Sequence, residues 1–323
     1  MRRALLAALS CTGAILLLAL ATAAFGHSPV FVLRTLLEGS IGSRFAIEGT
    51  LLKSVPLLLT GLSVVIAFRA GAWNIGAEGQ FIVGAIAALI ASPWGNVPAL
   101  IAAALAGAAW ASIASLMRLW RNAPEVLTTI LLNFIAIHLL GWCVNGPLRE
   151  SSARYPQSDL AAASLPAIGG VHVGFPLAIV IAVASWWMLY RTTEGLRLRA
   201  TGFNPEAARY AGIKVGAQLM RAMAISGAIA GLAGAIELLG VTHRLFERFA
   251  AGYGYSGIAV ALLGQLHPLA CVASALFFAA LTTGAGELQR TAGVSSTIAT
   301  FGQAVVILVL IAFTYGGKRD ANA

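Results

Sequence analysis

Long apolar stretches joined by short polar connections repeat along most of the chain. About ten of them, roughly 4–25, 46–68, 79–93, 97–119, 126–145, 173–190, 218–241, 255–267, 268–285 and 297–315, can be recognised. Because a helix needs about 20 apolar residues to cross a bilayer, the pattern predicts an all-α, polytopic transmembrane bundle of about 8–10 spans. The stretches 79–93 and 255–267 are short and predict broken or re-entrant helices. The connections leave no room for a soluble domain, so residues 1–323 are predicted to form one transmembrane domain.

The polar segment 197–213, RLRATGFNPEAARYAGI, separates two of these stretches. Asn204 is a favourable N-cap, Pro205 suits the first helical position, and Glu206 suits the positive end of the helix dipole. Gly212 then supplies a stop signal. The middle of the segment therefore predicts a short helix that is too polar for the bilayer. Its expected role is to dock onto a cytoplasmic partner.

A second polar segment, RAGAWNIGAEGQ at 69–80, interrupts the apolar pattern. Its glycines permit turns and close backbone approach, while Asn74, Glu78 and Gln80 supply hydrogen-bonding groups. Such breaks are typical of the discontinuous helices of transporters, whose freed backbone groups line a cavity or are buried in protein. We predict a cavity-lining or gating role; the alternative is an ordinary cytoplasmic turn with solvated side chains.

A weaker echo of this break occurs at 251–265, AGYGYSGIAVALLGQ. In both places closely spaced glycines precede a short apolar helix, a proline and another span. With alternating spans, the two short segments cross in opposite directions. This indicates an inverted internal repeat with substrate contacts near the repeat interface; the alternative is chance similarity between segments rich in glycine and alanine.

Composition and charge support this topology, with 59% hydrophobic residues, a mean hydropathy of +0.85 and a net charge of +9. With the amino terminus inside and ten alternating spans, 13 of the 21 Lys and Arg residues fall on the cytoplasmic side, together with both termini. This is the positive-inside rule, so the basic charge indicates orientation rather than nucleic-acid binding. The 13 are Arg2, Arg3, Arg69, Arg118, Arg121, Arg191, Arg197, Arg199, Arg209, Lys214, Arg221, Lys318 and Arg319.

The amino-terminal stretch has two interpretations. Its basic start and the sequence Ala21-Thr22-Ala23 resemble a cleavable signal peptide. However, the apolar run 4–25 is longer than the 7–15 residues typical of a signal sequence. Retention as a first span is favoured.

Isolated polar residues within apolar segments are weaker candidates. Asn133 and His138 either face a central pathway or form interhelical hydrogen bonds. Glu237 is a candidate proton or cation site, although no relay accompanies it in the sequence. Glu48 and Lys53 are interpreted as interfacial or loosely paired.

Other motifs have structural explanations. Glu287 and Arg290 have the spacing of a surface ion pair on a helix. The stretch 226–234 contains small residues four apart, which favour close helix packing. The three cysteines, Cys11, Cys143 and Cys271, lack pair spacing and are interpreted as buried small hydrophobes.

Motifs of a self-sufficient enzyme are missing from the sequence. The Gly317-Lys318 pair is followed by arginine instead of Ser or Thr, so the chain has no P-loop. Neither a nucleophile elbow nor a metal-spaced Cys/His cluster is found. We therefore assign no catalytic and no metal-binding residues and expect no enzyme activity from this chain alone.

Taken together, the motifs resemble a known family. GAWNIGAEGQ at 71–80, RATGFNPEAARYAGI at 199–213, LTTILLNFIA at 127–136 and the glycine-rich stretch 252–264 are similar to permease subunits of bacterial ATP-binding-cassette (ABC) importers. The branch is that of branched-chain amino acid, ribose and simple-sugar, and nucleoside permeases, and the 71–80 motif has the nucleoside-type form. The resemblance covers residues 46–315.

The resemblance implies a permease that binds no cofactor, because ATP and Mg²⁺ are used by a cytoplasmic ATP-binding partner subunit. It also implies a second permease subunit, a paralogue rather than a copy, and an extracytoplasmic solute-binding protein. Nucleosides or nucleobases are the first expectation for the solute and simple sugars the second. The location implied is the bacterial cytoplasmic membrane.

The same resemblance assigns site residues. Those matching the ATPase-coupling segment are Arg199, Gly202, Asn204, Pro205, Glu206, Ala207, Ala208, Tyr210, Ala211 and Gly212. Those matching the pathway or gate are Asn74, Glu78, Gln80, Asn133 and Tyr255.

Two other classes compete with this interpretation. A secondary transporter driven by an ion gradient would explain the breaks, with Glu78 or Glu237 as the proton site, but not a capped helix on the inner face. A structural membrane protein would need no glycine-rich breaks.

Overall fold

The structure is a computed structural model that describes residues 28–152 and 154–293, together with the isolated positions 12, 13, 297, 301, 304 and 305. Nearly all of the predicted first and last spans, 4–25 and 297–315, lie outside the described residues. So do Cys11, the possible signal-peptide cleavage site, and the terminal basic residues Arg2, Arg3, Lys318 and Arg319.

The described part of the chain is almost entirely helical. Seven of its helices are long and apolar enough to cross a membrane, and the helix Tyr253–Leu263 is apolar but shorter, which confirms the predicted polytopic α-helical class. The elements in chain order are α1 (Pro29–Ile41), α2 (Arg44–Arg69), α3 (Ala77–Ala91), α4 (Asn96–Arg121), α5 (Glu125–Asn145), β1 (Ala167–Ile168), β2 (Val171–His172), α6 (Gly174–Arg191), α7 (Thr193–Phe203), α8 (Pro205–Tyr210), α9 (Val215–Glu237), α10 (Tyr253–Leu263) and α11 (Pro268–Ala292).

Three sequence predictions need correction. Helix α1 was not foreseen, because 13 residues are too few for a spanning stretch. The stretch 268–285 continues as helix to Ala292. The polar segment 197–213 contains two helices rather than one, since α7 already begins at Thr193.

Helices α2, α3 and α9 form the centre of the bundle. Buried residues make up 78% of the apolar window of α2 but 28% of that of α4, which lies at the periphery. Small residues allow the central helices to approach closely: Gly231 of α9 lies against Ala103 of α4 and Gly84 of α3, where a Cβ atom would overlap backbone. The predicted packing role of 226–234 is thus confirmed within the chain.

The molecule has two ends, defined here by the elements they carry. The α7–α8 end contains α7 and α8, and the hairpin end contains the antiparallel pair β1 and β2. Helices α2 and α10 run side by side toward the α7–α8 end, where the Nε of Arg69 donates to the carbonyl of Leu266 at 2.8 Å. Helix α3 starts beside the beginning of α10, where Gly254 contacts Glu78, and finishes near the hairpin end. The predicted opposite directions of the two short helices are therefore confirmed.

Helix α10 covers only half of a crossing. Its 11 residues are about 16 Å long at 1.5 Å per residue. A π-helical turn, Leu238–Thr242, ends α9 near the hairpin end, and the chain returns from there to the start of α10 through the irregular segment 243–252. The chain crosses here as a discontinuous helix, as the glycine pattern indicated.

His172 holds the β-hairpin against the bundle. Its Nδ1 accepts the backbone N–H of Gly174 at 3.1 Å, and its ring lies against Gly240 in the π-helical turn. The ring is buried, and this burial lowers the pKa of His172 below its usual 6.5; the nearby His243 lowers it further. The folded protein therefore favours the neutral imidazole.

We expect acid to loosen this hairpin. Because the folded pKa of His172 is below the unfolded value, the unfolded state binds the proton first, and the stability present above about pH 6.5 is lost as the pH falls. The unfolding temperature in detergent should therefore drop by a few °C more, between pH 7.5 and 5, in the parent than in His172→Phe. An equal drop in both proteins would contradict the assignment, and His138→Phe, at an exposed position, is the matched control.

Candidate functional site

Helix α8 is a short, fully capped helix at the surface. The side chain of Asn204 accepts the N–H groups of Glu206 and Ala207, both at 3.0 Å, and Pro205 occupies the first turn. Gly212 has a φ of +79°, a left-handed conformation that favours glycine and ends the helix. These local predictions are confirmed.

Two large exposed side chains flank α8, one just before its start and one at its end. Phe203 is 94% exposed and Tyr210 is 95% exposed. The helix between them is otherwise small and polar. Exposed aromatic side chains of this kind commonly anchor protein interfaces, which is compatible with the docking role expected from the sequence.

Helix α7 fixes α8 to the bundle. Its Glu194 accepts a hydrogen bond from Gln218 of α9 and pairs with Arg197 and Arg221. These contacts hold the pKa of Glu194 below its usual value. Arg199 donates to the carbonyl of Leu189 in α6 at 2.9 Å. Helix α7, which leads directly into α8, is therefore attached to both α6 and α9.

The end of α7 touches the first glycine-rich break directly. Gly202 packs on the backbone of the turn that follows α2, and a Cβ atom at Gly202 would overlap the carbonyl oxygen of Arg69. On the other side of the contact, Gly71 has a φ of +78°. Two glycines thus allow the two backbones to meet without intervening side chains.

The break itself is buried and closed by hydrogen bonds. The amides of Asn74 and Gln80 pair reciprocally, with both N···O distances at 2.9 Å. Asn74 also donates to the hydroxyl of Ser226 in α9 at 2.8 Å, and Ser226 bonds to Ser63 of α2. Because Asn74, Gln80 and Ser226 are buried, a solvated turn is excluded for these side chains. Their bonds join the break to α2, α3 and α9.

Glu78 connects the two breaks. Its carboxylate, 4% exposed, accepts the backbone N–H groups of Gly252 at 2.9 Å and Gly254 at 2.6 Å. These N–H groups belong to the start of α10, where no preceding turn of helix can accept them. The first turn of α3 therefore caps the start of α10 across 176 positions of sequence.

Asn133 of α5 completes the cluster. Its Oδ1 accepts the N–H of Gly79 at 2.8 Å, and its Nδ2 donates to the carbonyl of Ile75 at 2.9 Å and to the hydroxyl of Tyr255 at 3.2 Å. The five residues predicted for the pathway or gate are thus brought together. Tyr255 alone among them is exposed, at 42%. His138, one turn further along α5, lies instead on the exposed face.

Comparison with known proteins decides the family. Residues 46–314 match the family described as the permease component of the branched-chain amino acid transport system. The chain belongs to this permease family.

Named relatives agree with that assignment. The permease is 34% identical to the guanosine ABC transporter permease NupP of Bacillus subtilis over 92% of each chain. It is 33% identical to the glucose ABC transporter permease TsgB13 of Haloferax volcanii, over 90% of this chain and 82% of the relative. The nucleoside ABC transporter permease NupB of Lactococcus lactis is 29% identical over 93% of this chain and 87% of its own length. The chain is therefore the permease subunit of an ABC transport system and a multi-pass membrane protein.

The permease has a further buried carboxylate at this site that the sequence analysis missed. Glu125, at the start of α5, accepts the N–H of Trp73 at 3.1 Å and pairs with Arg118 of α4 at 2.6 Å. Glu125 thereby attaches the first residues of the break to the connection between α4 and α5. The signal available in the sequence was an acidic residue in a first helical turn, next to Pro124, at the edge of the LTTILLNFIA motif.

Tyr190 forms a further contact between helices at the α7–α8 end of the permease. The guanidinium of Arg199 lies 4.9 Å from its ring centre, that of Arg69 lies 6.0 Å away, and the His267 ring centre lies 5.3 Å away. Arg69 also binds the carbonyl of Leu266, whose φ is +54°. The contacts around Tyr190 therefore connect α6 and α7 to the ends of both α2 and α10.

Proposed function

We propose that this permease imports a nucleoside or nucleobase into the cytoplasm, driven by ATP hydrolysis in a separate subunit docked on α8. The observation that carries the coupling role is the path of direct contacts from the exposed α8, through Gly202 on Gly71, to the buried break and α10. A simple sugar is the second solute class.

The solute proposal is supported by the relatives. Their names include guanosine, nucleosides and glucose, and the relative with 34% identity is a guanosine permease. The sequence form of the 71–80 motif favours the nucleoside type over the sugar type.

The proposed assembly contains a second, paralogous permease, a cytoplasmic ATP-binding subunit that uses ATP and Mg²⁺, and an extracytoplasmic solute-binding protein. Support for a paralogue comes from pairs of relatives within one organism: both NupP and NupQ of Bacillus subtilis are named guanosine permeases and match this chain. The chain itself supplies no ATPase site and binds no cofactor. We place it in the bacterial cytoplasmic membrane with both termini inside.

We infer the orientation of the permease in the membrane from its charge distribution. The described basic residues at the α7–α8 end would face the cytoplasm under the positive-inside rule. They are Arg69, Arg118, Arg121, Arg191, Arg197, Arg199, Arg209, Lys214 and Arg221.

In the proposed mechanism, ATP binding moves α8, and α7 carries the movement to the turn at Gly71. The turn is joined to α3 through the break, and Glu78 joins α3 to α10. Two half-crossings of opposite direction would then shift together, which is a means of alternating access.

The test is solute transport by proteoliposomes that contain the permease, its paralogue and the ATP-binding subunit. The solute-loaded binding protein is supplied on the side of the membrane that the hairpin end faces. Nucleoside uptake should require ATP and persist when an uncoupler removes ion gradients. Uptake that stops with the uncoupler and continues without ATP would contradict the proposal and favour ion-coupled transport.

Tyr210→Asp should weaken docking of the ATP-binding subunit. An exposed aromatic anchor commonly contributes about 2 kcal/mol or more, so a loss of about 30-fold in affinity is expected. Copurification and binding titration measure it. Tyr155→Asp, at a 75% exposed tyrosine near the hairpin end, is the matched control and should retain affinity. Equal affinity of both variants would contradict the docking assignment.

A further inference from the structure

A cleft of about 730 Å³ opens at the hairpin end between α1, α2 and α11. Phe31, Phe45 and Thr283 contribute apolar and hydroxyl surface, and Glu287 with Arg290 forms an ion pair that lines it. Lys53 lines the cleft furthest along α2. A cleft of this volume accommodates a small organic molecule.

Lys53 has no partner in the described part of the chain. It forms neither a hydrogen bond nor an ion pair there, and the nearby Glu48 is paired with Arg44 at 2.8 Å instead. Of the two interpretations of Glu48 and Lys53, interfacial or loosely paired, the pairing is therefore wrong. A partly buried ammonium with three donors is left facing the cleft.

Beyond Lys53 lies Glu237 of α9, which is 7% exposed. Its carboxylate makes no hydrogen bond or ion pair with the described residues. It interacts electrostatically with Lys53, but the two groups are too far apart for an ion pair. The two helices are antiparallel and meet at Ser63 and Ser226, so Lys53, ten residues before Ser63, and Glu237, eleven residues after Ser226, lie at about the same level of the bundle.

Tyr253, at the start of α10, borders the same region. Its ring packs on Phe81 with centres 5.8 Å apart, and the carbonyl of Phe81 lies against Gly234, one turn of α9 before Glu237. Within residues 28–152 and 154–293 its hydroxyl has no hydrogen-bond partner. Buried polar groups are normally hydrogen-bonded, so the buried carboxylate of Glu237, with an ammonium and a phenol nearby that also lack partners among the described residues, indicates a missing ligand.

We propose that Lys53, Glu237 and Tyr253 form a solute-contact site reached through this cleft. The ligand class is a neutral solute with a hydrogen-bond acceptor beside a donor, as on the edge of a nucleobase. Lys53 donates to the acceptor, Glu237 accepts from the donor, and the Tyr253 hydroxyl serves either purpose. This inference rests on the proposed import function and places a substrate contact next to Glu78, which joins the two half-crossings.

The experiment compares Lys53→Gln and Glu237→Gln with the parent complex in proteoliposomes, at saturating loaded binding protein. Nucleoside taken up and ATP hydrolysed are measured together. A hydrogen bond to a charged group is worth about tenfold or more in affinity, so each variant should lose about tenfold in solute moved per ATP. Hydrolysis stimulated by the binding protein should persist, and Lys53→Arg should recover part of the loss. Arg154→Gln, at an exposed position that does not line the cleft, is the control and should keep the parent ratio.

The outcomes separate this inference from the function on which it rests. No ATP-dependent uptake by the parent would overturn the proposed function. Parent uptake with unchanged ratios in both Gln variants would overturn only the contact site, as would failure of both variants to assemble, because the groups would then be structural. Uptake of a monosaccharide in place of nucleosides, lost in the same variants, would assign the site to sugar hydroxyls and contradict the nucleobase edge.

Discussion

Replacing Glu78 by leucine is expected to abolish transport and to destabilise the folded permease. The carboxylate accepts two N–H groups at the start of α10, and leucine offers no acceptor to either. Each unsatisfied buried donor costs about 1–3 kcal/mol, so a total on the order of 2–6 kcal/mol is expected. Thermal unfolding in detergent and ATP-driven uptake measure the two effects.

Glu78→Gln should have an intermediate effect, because one oxygen acceptor remains. Asp159→Asn, at an exposed carboxylate near the hairpin end, changes charge in the same way and should leave the unfolding temperature unchanged. Parent-like stability and transport in Glu78→Leu would show that the two half-crossings are not held together through this residue.

Changing Gly202 to alanine is expected to uncouple ATP hydrolysis from transport. The new Cβ atom would overlap the backbone at Arg69 and Gly71, so α7 must move away from the break. We expect copurification and hydrolysis to be retained while solute moved per ATP falls by at least about tenfold, the change that 1.4 kcal/mol of lost coupling energy produces.

Gly141→Ala provides the matched control for this substitution. Gly141 also lies inside a helix, but nothing lies within 4 Å of the position its Cβ would occupy. Alanine there should be neutral or slightly stabilising, because it favours the helix by about 0.5–1 kcal/mol over glycine. If both variants retain the parent ratio, the contact between Gly202 and Gly71 does not transmit movement.

The part of the site that the sequence predicted best depends on local chemistry. The cap at Asn204, the proline after it and the left-handed Gly212 all act within a few residues, so their consequences can be read from the sequence. Helix α7 was missed even though its cap, Thr192, is equally local. The stronger start signal, the asparagine followed by proline, marks the beginning of α8, which lies after the end of α7.

Partners across the bundle were beyond the sequence. Ser226 is 152 positions from Asn74 and Gly254 is 176 positions from Glu78, and no local pattern specifies these pairings. For the same reason, the sequence did not decide whether the break at 69–80 is buried or exposed to solvent. Glycines and amides suit both a solvated turn and a buried junction, and only the packing of α2, α5 and α9 around them decides the matter.

In the proposed mechanism, α8 receives the movement of an ATP-binding subunit. A cysteine at position 210, in a permease whose native cysteines are replaced, tests it directly by cross-linking to the copurified ATP-binding subunit. We expect Tyr210→Cys to give an efficient cross-link whose yield changes between ATP-bound and nucleotide-free states, while Tyr155→Cys gives none. An intact complex in which Tyr210→Cys does not cross-link in either state would contradict the account.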